Sequence, residues 1–331
     1  MCGHGAAVRE QAAVRRCVQA SAQNVDFEGF VDYIHSTQQQ ILSSAEALEG
    51  NRRTFVRDKW DRGGPAEPNA GYGLTCVLED GEVLEKAAAS ITVVRGSLTA
   101  ARAAAMSSRG RGCIDPAGGQ AYAAAALSLV FHSAHPMIPT LRADVRLFQV
   151  GEQSWFGGGC DLTPFYVDSQ DFGSFHSFWK AQCDTHSPEA YSEYKAVCDS
   201  YFYIPARKEH RGVGGIFFDD LSSEEAGFDV PAFVKDVGTG ILPSWLPIVE
   251  RHRQKPISPE QREWQLLRRG RYLEFNLLND RGVKFGLDGG RMEAIMVSAP
   301  PLIRWRYNIV PEIGSPESDL VELLRKPQQW A

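Results

Sequence analysis

Leu141-Arg-Ala-Asp-Val-Arg-Leu-Phe-Gln-Val150 is the stretch whose reading decides the fold. Leu141, Ala143, Val145 and Leu147 alternate with Arg142, Asp144 and Arg146. A period of two belongs to a strand with one apolar face. The other face then carries three charged groups in a row. It is either a solvated sheet surface or the wall of a ligand site.

Downstream, Trp155-Phe156-Gly157-Gly158-Gly159-Cys160-Asp161-Leu162-Thr163-Pro164 joins three glycines to a carboxylate. Glycine lets a backbone take φ > 0 or approach a flat ligand closely; a plain turn is the other reading. No Gly-Lys-Ser/Thr follows, so this is not a phosphate loop. Arg211-Gly-Val-Gly-Gly215 precedes a strand rather than a helix and lacks the dinucleotide spacing. Upstream, residues 121–131 (AYAAAALSLVF) are ambiguous, because alanine favours helix and the LSLVF end favours strand.

Farther out, Leu74 to Leu78, the turn Asp80-Gly81 and Val83 to Val94 read as a hairpin. Residues 27–48 have helical periodicity and stop at Gly50, while Gly63 to Gly73 reads as a loop. Helices are expected at 97–106 (capped by Ser97), 171–186, 188–202, 228–252, from Ser258 to about Arg269, and before Pro327. Val213 to Phe218, Arg271 to Leu278 and Arg291 to Ser298 read as strands. Strands joined by short turns predict an α+β fold with a largely antiparallel sheet.

The chain has 331 residues, a size that suits one large domain or two intimately packed halves. A hydrophobic fraction of 43% and a charged fraction of 23% are those of an ordinary globular protein. No apolar run approaches the roughly 18 residues of a membrane helix. Lys+Arg total 35 and Asp+Glu 41, a net charge of −6, so nucleic acid and acidic membranes are poor partners. The 7 cysteines form no CxxC pair, which argues against a zinc knuckle and for a reducing compartment. The N-terminus carries Arg9, Arg15 and Arg16 without an apolar stretch. It reads as a flexible tail over 1–25, with a mitochondrial-type presequence as the alternative.

Arginine is dense late in the chain: Arg207, Arg211, Arg268, Arg269, Arg271, Arg281, Arg291, Arg304 and Arg306. Such residues either pair with nearby acids or hold a polycarboxylate through their forked donors. His132 and His135, three positions apart, could share a metal but have no acidic or cysteine partner nearby in sequence, and His176, His186 and His210 read singly as hydrogen-bonded or surface residues.

SLVFH…PT (128–140), FGGGCDLTP (156–164), RGVGGIFFDDL (211–221) and LRRGRYLEFNLLNDRGVKFGL (267–287), in this order, closely resemble the oxygen-dependent coproporphyrinogen III oxidases. The resemblance covers roughly 27–331 and implies a single domain over 26–331. It implies a large, mostly antiparallel sheet of about seven strands with helices on both faces. It also implies oxidative decarboxylation of the ring A and ring B propionates of coproporphyrinogen III to vinyls. O₂ is the co-substrate, and the products are protoporphyrinogen IX, CO₂ and H₂O₂, in haem biosynthesis. No redox cofactor is implied. A homodimer is, through Val77–Lys86 and Tyr272 to about Arg306. By this resemblance Asp161 meets the pyrrole N–H groups. Ser128, His132, Asp144, Val145, Arg146, Gly289, Gly290 and Arg291 contact substrate, with Gly290 standing for a family serine.

This chain departs from the pattern in two places. Arg142 replaces the family's proton-donor histidine, and Asp144 replaces its asparagine. An arginine holds a carboxylate but is a poor acid. Proton donation is then dispensable or passes to another group such as His132. Asp144 is expected to pair with Arg142 or Arg146. A four-histidine metal site proposed for some members is matched only by His132 and His176, with Arg142 and Ala206 at the other positions, so no metal is expected. The leading reading is a metal-free oxidase with Asp161, Arg146 and Arg142 as catalytic candidates. A non-catalytic porphyrinogen or haem carrier and a metal-dependent oxidase are the alternatives. The cytosol is the expected compartment, with mitochondria second.

Overall fold

The computed structural model describes residues 25–63, 69–107, 114–287 and 290–331. Its strands are β1 (Val56–Asp61), β2 (Gly71–Glu79), β3 (Leu84–Ser97), β4 (Ala121–Ser133), β5 (Thr140–Val150), β6 (Gln153–Thr163), β7 (Tyr203–Ile204), β8 (Glu209–His210) and β9 (Gly214–Leu221). The alternating stretch is β5, and it sits inside a seven-stranded sheet ordered β1-β2-β3-β4-β5-β6-β9. Every neighbouring pair in it is antiparallel. The pair β7–β8 is a separate ribbon.

The helices are α1 (Phe27–Leu48), α2 (Ala100–Ser107), α3 (Ser169–Asp184), α4 (Ala190–Tyr201), α5 (Ser223–Ala226), α6 (Val230–His252), α7 (Pro259–Leu278), α8 (Arg281–Leu287), α9 (Met292–Met296) and α10 (Pro316–Leu324). The α+β expectation holds. The expected tail over 1–25 falls outside the described residues except for Val25.

Period two divides the sheet into two unlike faces. Ala89, Ile91 and Val93 of β3, Leu127, Leu129 and Phe131 of β4, and Leu141, Val145 and Leu147 of β5 enter one apolar core. There they meet Phe30, Ile34 and Ile41 of α1, Phe172 and Trp179 of α3, and Val237, Ile241 and Trp245 of α6. Burial on this scale is the main stabilising term, at about 25 cal/mol per Å² of apolar surface. α4 packs along β9, the last strand of the sheet, and so shields an edge that would otherwise be open. The second face carries the intervening residues and is roofed by α7, whose Tyr272 rests on Ala88 and Val130.

Tertiary structure decides one local reading left open and corrects three others. Residues 121–131 are strand, because pairing with β3 and β5 on both sides outweighs the helical preference of alanine. The helix from Ser258 does not stop near Arg269 but runs to Leu278, so Arg271 to Leu278 is not a strand. Its buried Tyr272, Phe275 and Asn276 recur at three- and four-residue spacing, which fits a helix lying on the sheet. Residues 292–296 are a short helix too, since they cover the sheet's face and have no strand edge to join. Ser97 ends β3, and it is the Thr99 hydroxyl that accepts the Arg102 N–H at the start of α2. The edge strand β1 was not expected at all.

The hairpin between β2 and β3 is tied down by a buried carboxylate. Glu49, just past α1, accepts the backbone N–H groups of Glu82, Val83 and Leu84 at 2.7, 3.0 and 2.6 Å. Glu49→Ala strands these donors and is expected to cost about 2–3 kcal/mol. A denaturant midpoint unchanged from that of the unmodified chain would show that the turn is held by its backbone alone.

Candidate active site

The registers of β3 to β9 set the second face out in rows. One row reads Ala88, Val130, Arg142, Asp161, Gly215. The next reads Ser90, Ser128, Asp144, Gly159, Phe217, and the third Thr92, Ala126, Arg146, Gly157. Ser128, Arg142, Asp144, Arg146 and Asp161, separated by up to 33 positions in sequence, therefore share one surface. Four residues of β5 separate Arg142 from Arg146, about 13 Å along the strand. The ligand-wall reading of the charged strand is the one the fold supports, because this surface lies beneath other elements and not in bulk solvent.

Arg146 forks between two carboxylates. It bonds Asp144 on its own strand and Asp219 of β9 at 3.1 Å, and Arg281 meets the other oxygen of Asp219 at 3.3 Å. To reach Asp219 the guanidinium crosses β6 at Gly157, where a Cβ would lie 2.6 Å from its Nε. The glycine run thus makes room for an arginine of this chain. Of the two partners expected for Asp144, Arg146 is the one it takes. Arg142 donates to the Ser128 hydroxyl at 2.7 Å and to the carbonyls of Leu129 and Ala143 at 2.9 Å. Among the described residues it has no carboxylate partner.

Asp161 is 4% exposed. Arg211 reaches its Oδ1 at 2.5 Å, and Oδ2 has no hydrogen bond among the described residues. The guanidinium of Arg211 is enclosed by rings, its carbon lying 3.9 Å from the centre of Phe202, 4.9 Å from Tyr272 and 5.0 Å from Phe275. Burial pushes the Asp161 carboxyl up, and the neighbouring Arg211 pulls it back down. A base held this way is poised closer to neutral than an exposed carboxylate.

Toward the other end, the same face opens into a cleft of about 290 Å³. Arg62, Arg102, Arg146 and Arg291 surround a floor that includes Val94, Ala124 and Ala126, with Gly286, Gly290, Ala294 and Ile295 closing over it. Arg291 is anchored to Asp58 of β1 at 2.8 Å. Gly290 and Arg291 line this cleft, whereas Gly289 lies outside the described residues. Arg62 and Arg102 were missed. The signal for Arg62 was the alternation Asp58, Trp60, Arg62, which begins in the unrecognised β1 and ends just past it; Arg102 had none.

Other expected residues lie elsewhere. Val145 points into the apolar core on the opposite face. His132 belongs to the charged face, but its ring nitrogens bond Thr140 Oγ1 at 3.2 Å and the Ser298 carbonyl at 3.1 Å. Burial and the nearby Arg269 hold it well below the usual histidine range, so it is a neutral, enclosed group. Most of the late arginines are balanced: Arg268 by Glu209, Arg269 by Glu85, Arg207 and Arg271 by Glu274, and Arg304 and Arg306 by Glu263. His176 lies among the helices of the core face, bonded to Tyr191 and the Val213 carbonyl at 2.9 and 3.1 Å. With both rings engaged on opposite faces, His132 and His176 do not fit a common metal ion.

A family model described as coproporphyrinogen III oxidase matches residues 29–330. The chain belongs to the coproporphyrinogen III oxidase family. The human mitochondrial oxygen-dependent coproporphyrinogen-III oxidase is 42% identical over 304 residues, 90% of this chain and 65% of the relative. The Drosophila melanogaster oxygen-dependent coproporphyrinogen-III oxidase is 42% identical over 306 residues, 90% of this chain and 76% of the relative. The rat mitochondrial enzyme matches at the same identity. The chain thus spans just under two thirds of the length of its human relative. No helix among the described residues is long and apolar enough to cross a membrane.

The buried histidines make acid stability a test of this geometry. Burial lowers His176 from 6.5 to about 3. The unfolded chain therefore takes up the proton first, and the contribution present above pH 6.5 is lost as pH falls toward 3. His176→Asn is expected to flatten the fall of thermal midpoint over that window. An unaltered slope would mean that this ring titrates freely in the fold.

Proposed function

We propose that this chain is an oxygen-dependent coproporphyrinogen III oxidase, converting the ring A and ring B propionates to vinyls and yielding protoporphyrinogen IX. The observation that carries the reading is the charged sheet face, with an arginine-lined cleft at one end and a buried carboxylate at the other. The substrate is a flat, electron-rich tetracarboxylate. Arginines suit its propionates, and the apolar floor suits its ring.

Asp161 accepts the pyrrole proton through Oδ2 while Arg211 holds Oδ1. Removal of that proton makes the macrocycle a better reductant for O₂. Arg146 and Arg142 supply positive charge for propionate and peroxide. For each side chain, one propionate, one O₂ and one proton give one vinyl, one CO₂ and one H₂O₂. Two electrons pass from the substrate to oxygen, so the chemistry asks for no redox cofactor. Metal independence is part of the proposal, and the poor fit of His132 and His176 to one ion supports it.

The chain works as a homodimer in this reading. Lys86 Nζ donates to the Ala299 carbonyl at 3.1 Å, so the two segments expected at the interface are contiguous. Leu302 and Trp305 there, with Tyr307, Val310 and Ile313 just beyond, form an unusually exposed apolar run. A cytosolic location also belongs to the proposal. The buried free thiols Cys76, Cys160, Cys183 and Cys198 suit a reducing compartment.

Anaerobically prepared coproporphyrinogen III, mixed with the chain in air and followed by chromatography, should yield protoporphyrin with or without chelator. No product would leave a carrier, and loss with chelator a metalloenzyme. Asp161→Ala is expected to lower kcat on the order of 10²–10⁴-fold; turnover equal to that of the unmodified chain would remove Asp161 as the base. Leu302→Asp with Tyr307→Asp should shift the sedimenting species from dimer to monomer, and an undisturbed dimer would place the interface elsewhere.

A further inference from the structure

Among the described residues, three buried hydroxyls on the enclosed face have no hydrogen-bond partner, those of Ser90, Thr163 and Tyr272, and of these only the phenol of Tyr272 is appreciably acidic. Its ring is 1% exposed and its hydroxyl has no hydrogen-bond partner. Buried hydroxyls are nearly always bonded, and leaving one unmade costs free energy, so an orphan calls for an explanation. Packing alone would be served by phenylalanine.

Its placement is specific. The ring rests on Ala88 and Val130, which belong to the same row as Arg142 and Asp161. The guanidinium of Arg211 lies 4.9 Å from its centre, and His132 meets it edge-on at 5.3 Å. Asp161, once it has taken the pyrrole proton, must return it to the pyrrole. Arg142 and Arg211 are guanidinium groups, which donate hydrogen bonds but do not release protons near neutral pH. His132 has both nitrogens occupied. The reaction still consumes one proton for each peroxide released, and the phenol is the remaining acidic O–H over this row.

We infer that the Tyr272 hydroxyl is the proton donor to the hydroperoxide formed at this site. The inference rests on the oxidase reading. O₂ receives two electrons from the macrocycle and one proton from the side-chain carbon that becomes the vinyl, giving HOO⁻. Tyr272 breaks its O–H bond and gives the proton to HOO⁻, so that H₂O₂ leaves. The phenolate is left beside the positive charges of Arg211 and Arg142 and is reprotonated from solvent. Burial raises the phenol's pKa, which keeps the donor loaded between turnovers, and those two arginines act in the opposite direction.

Tyr272→Phe removes one atom that bonds nothing in the fold, so the thermal midpoint should not fall. In the full chain, kcat is expected to drop on the order of 10²-fold or more with KM little changed. D₂O is expected to slow kcat of the unmodified chain and to slow that of Tyr272→Phe less. Arg142→His in the Tyr272→Phe background places an imidazole in the row beside Asp161 and should restore at least tenfold of the lost turnover. If the unmodified chain makes protoporphyrinogen and Tyr272→Phe matches it, or loses only KM, the proton role is overturned while the oxidase reading stands. If the unmodified chain makes none, it is the oxidase reading that fails.

Discussion

Asp161 and Arg211 form an ion pair enclosed by protein, and the arrangement of the second sheet face follows from it. A buried carboxylate survives only with a counter-ion, and a buried guanidinium only with a carboxylate and something to lie against. Phe202, Tyr272 and Phe275 supply that surface. Two of these rings are on α7, so the helix that roofs the face is also the wall of the ion pair. Removing either charge would expose the other to a medium that cannot solvate it. This is a costly way to stabilise a fold, since apolar residues of similar size often do as well. It is a good way to keep a carboxylate dry and with a raised affinity for protons.

The same face shows why net charge is a blunt guide to ligands. At −6 the chain should repel a polycarboxylate. Locally the cleft is ringed by Arg62, Arg102, Arg146 and Arg291. Field lines are focused by placement against low-dielectric walls, and the distant acids are screened. Arg146 and Arg291 are held in position by Asp144, Asp219 and Asp58, so they are pre-organised when a ligand arrives. Most arginines later in the chain are bound to glutamates and hold α7 and its neighbours in place.

Local rules succeeded where one residue type or one period dominated. Alternation in 141–150 and helical spacing in 27–48 each point to a single structure. They failed where the deciding partner is distant. Residues 121–131 became strand because β3 and β5 pair with them. Residues 271–278 stayed helical because they lie on a face and have no edge to extend. Of the residues the resemblance names, Asp161, Arg146 and Ser128 lie on the face and Arg291 on its roof. The resemblance could not show that Val145 points away or that the nitrogens of His132 are spent.

What the sequence by itself determined is the two-sided sheet, because period-two alternation is a property of the backbone and needs no partner to be read. It also determined the family, through four motifs in fixed order. Only the tertiary structure decided which charges are free to act. Whether an arginine faces a carboxylate, a carbonyl or an empty cleft depends on strand register and on where α7 comes to rest. Those are set by contacts between residues far apart in the chain, and no local pattern encodes them.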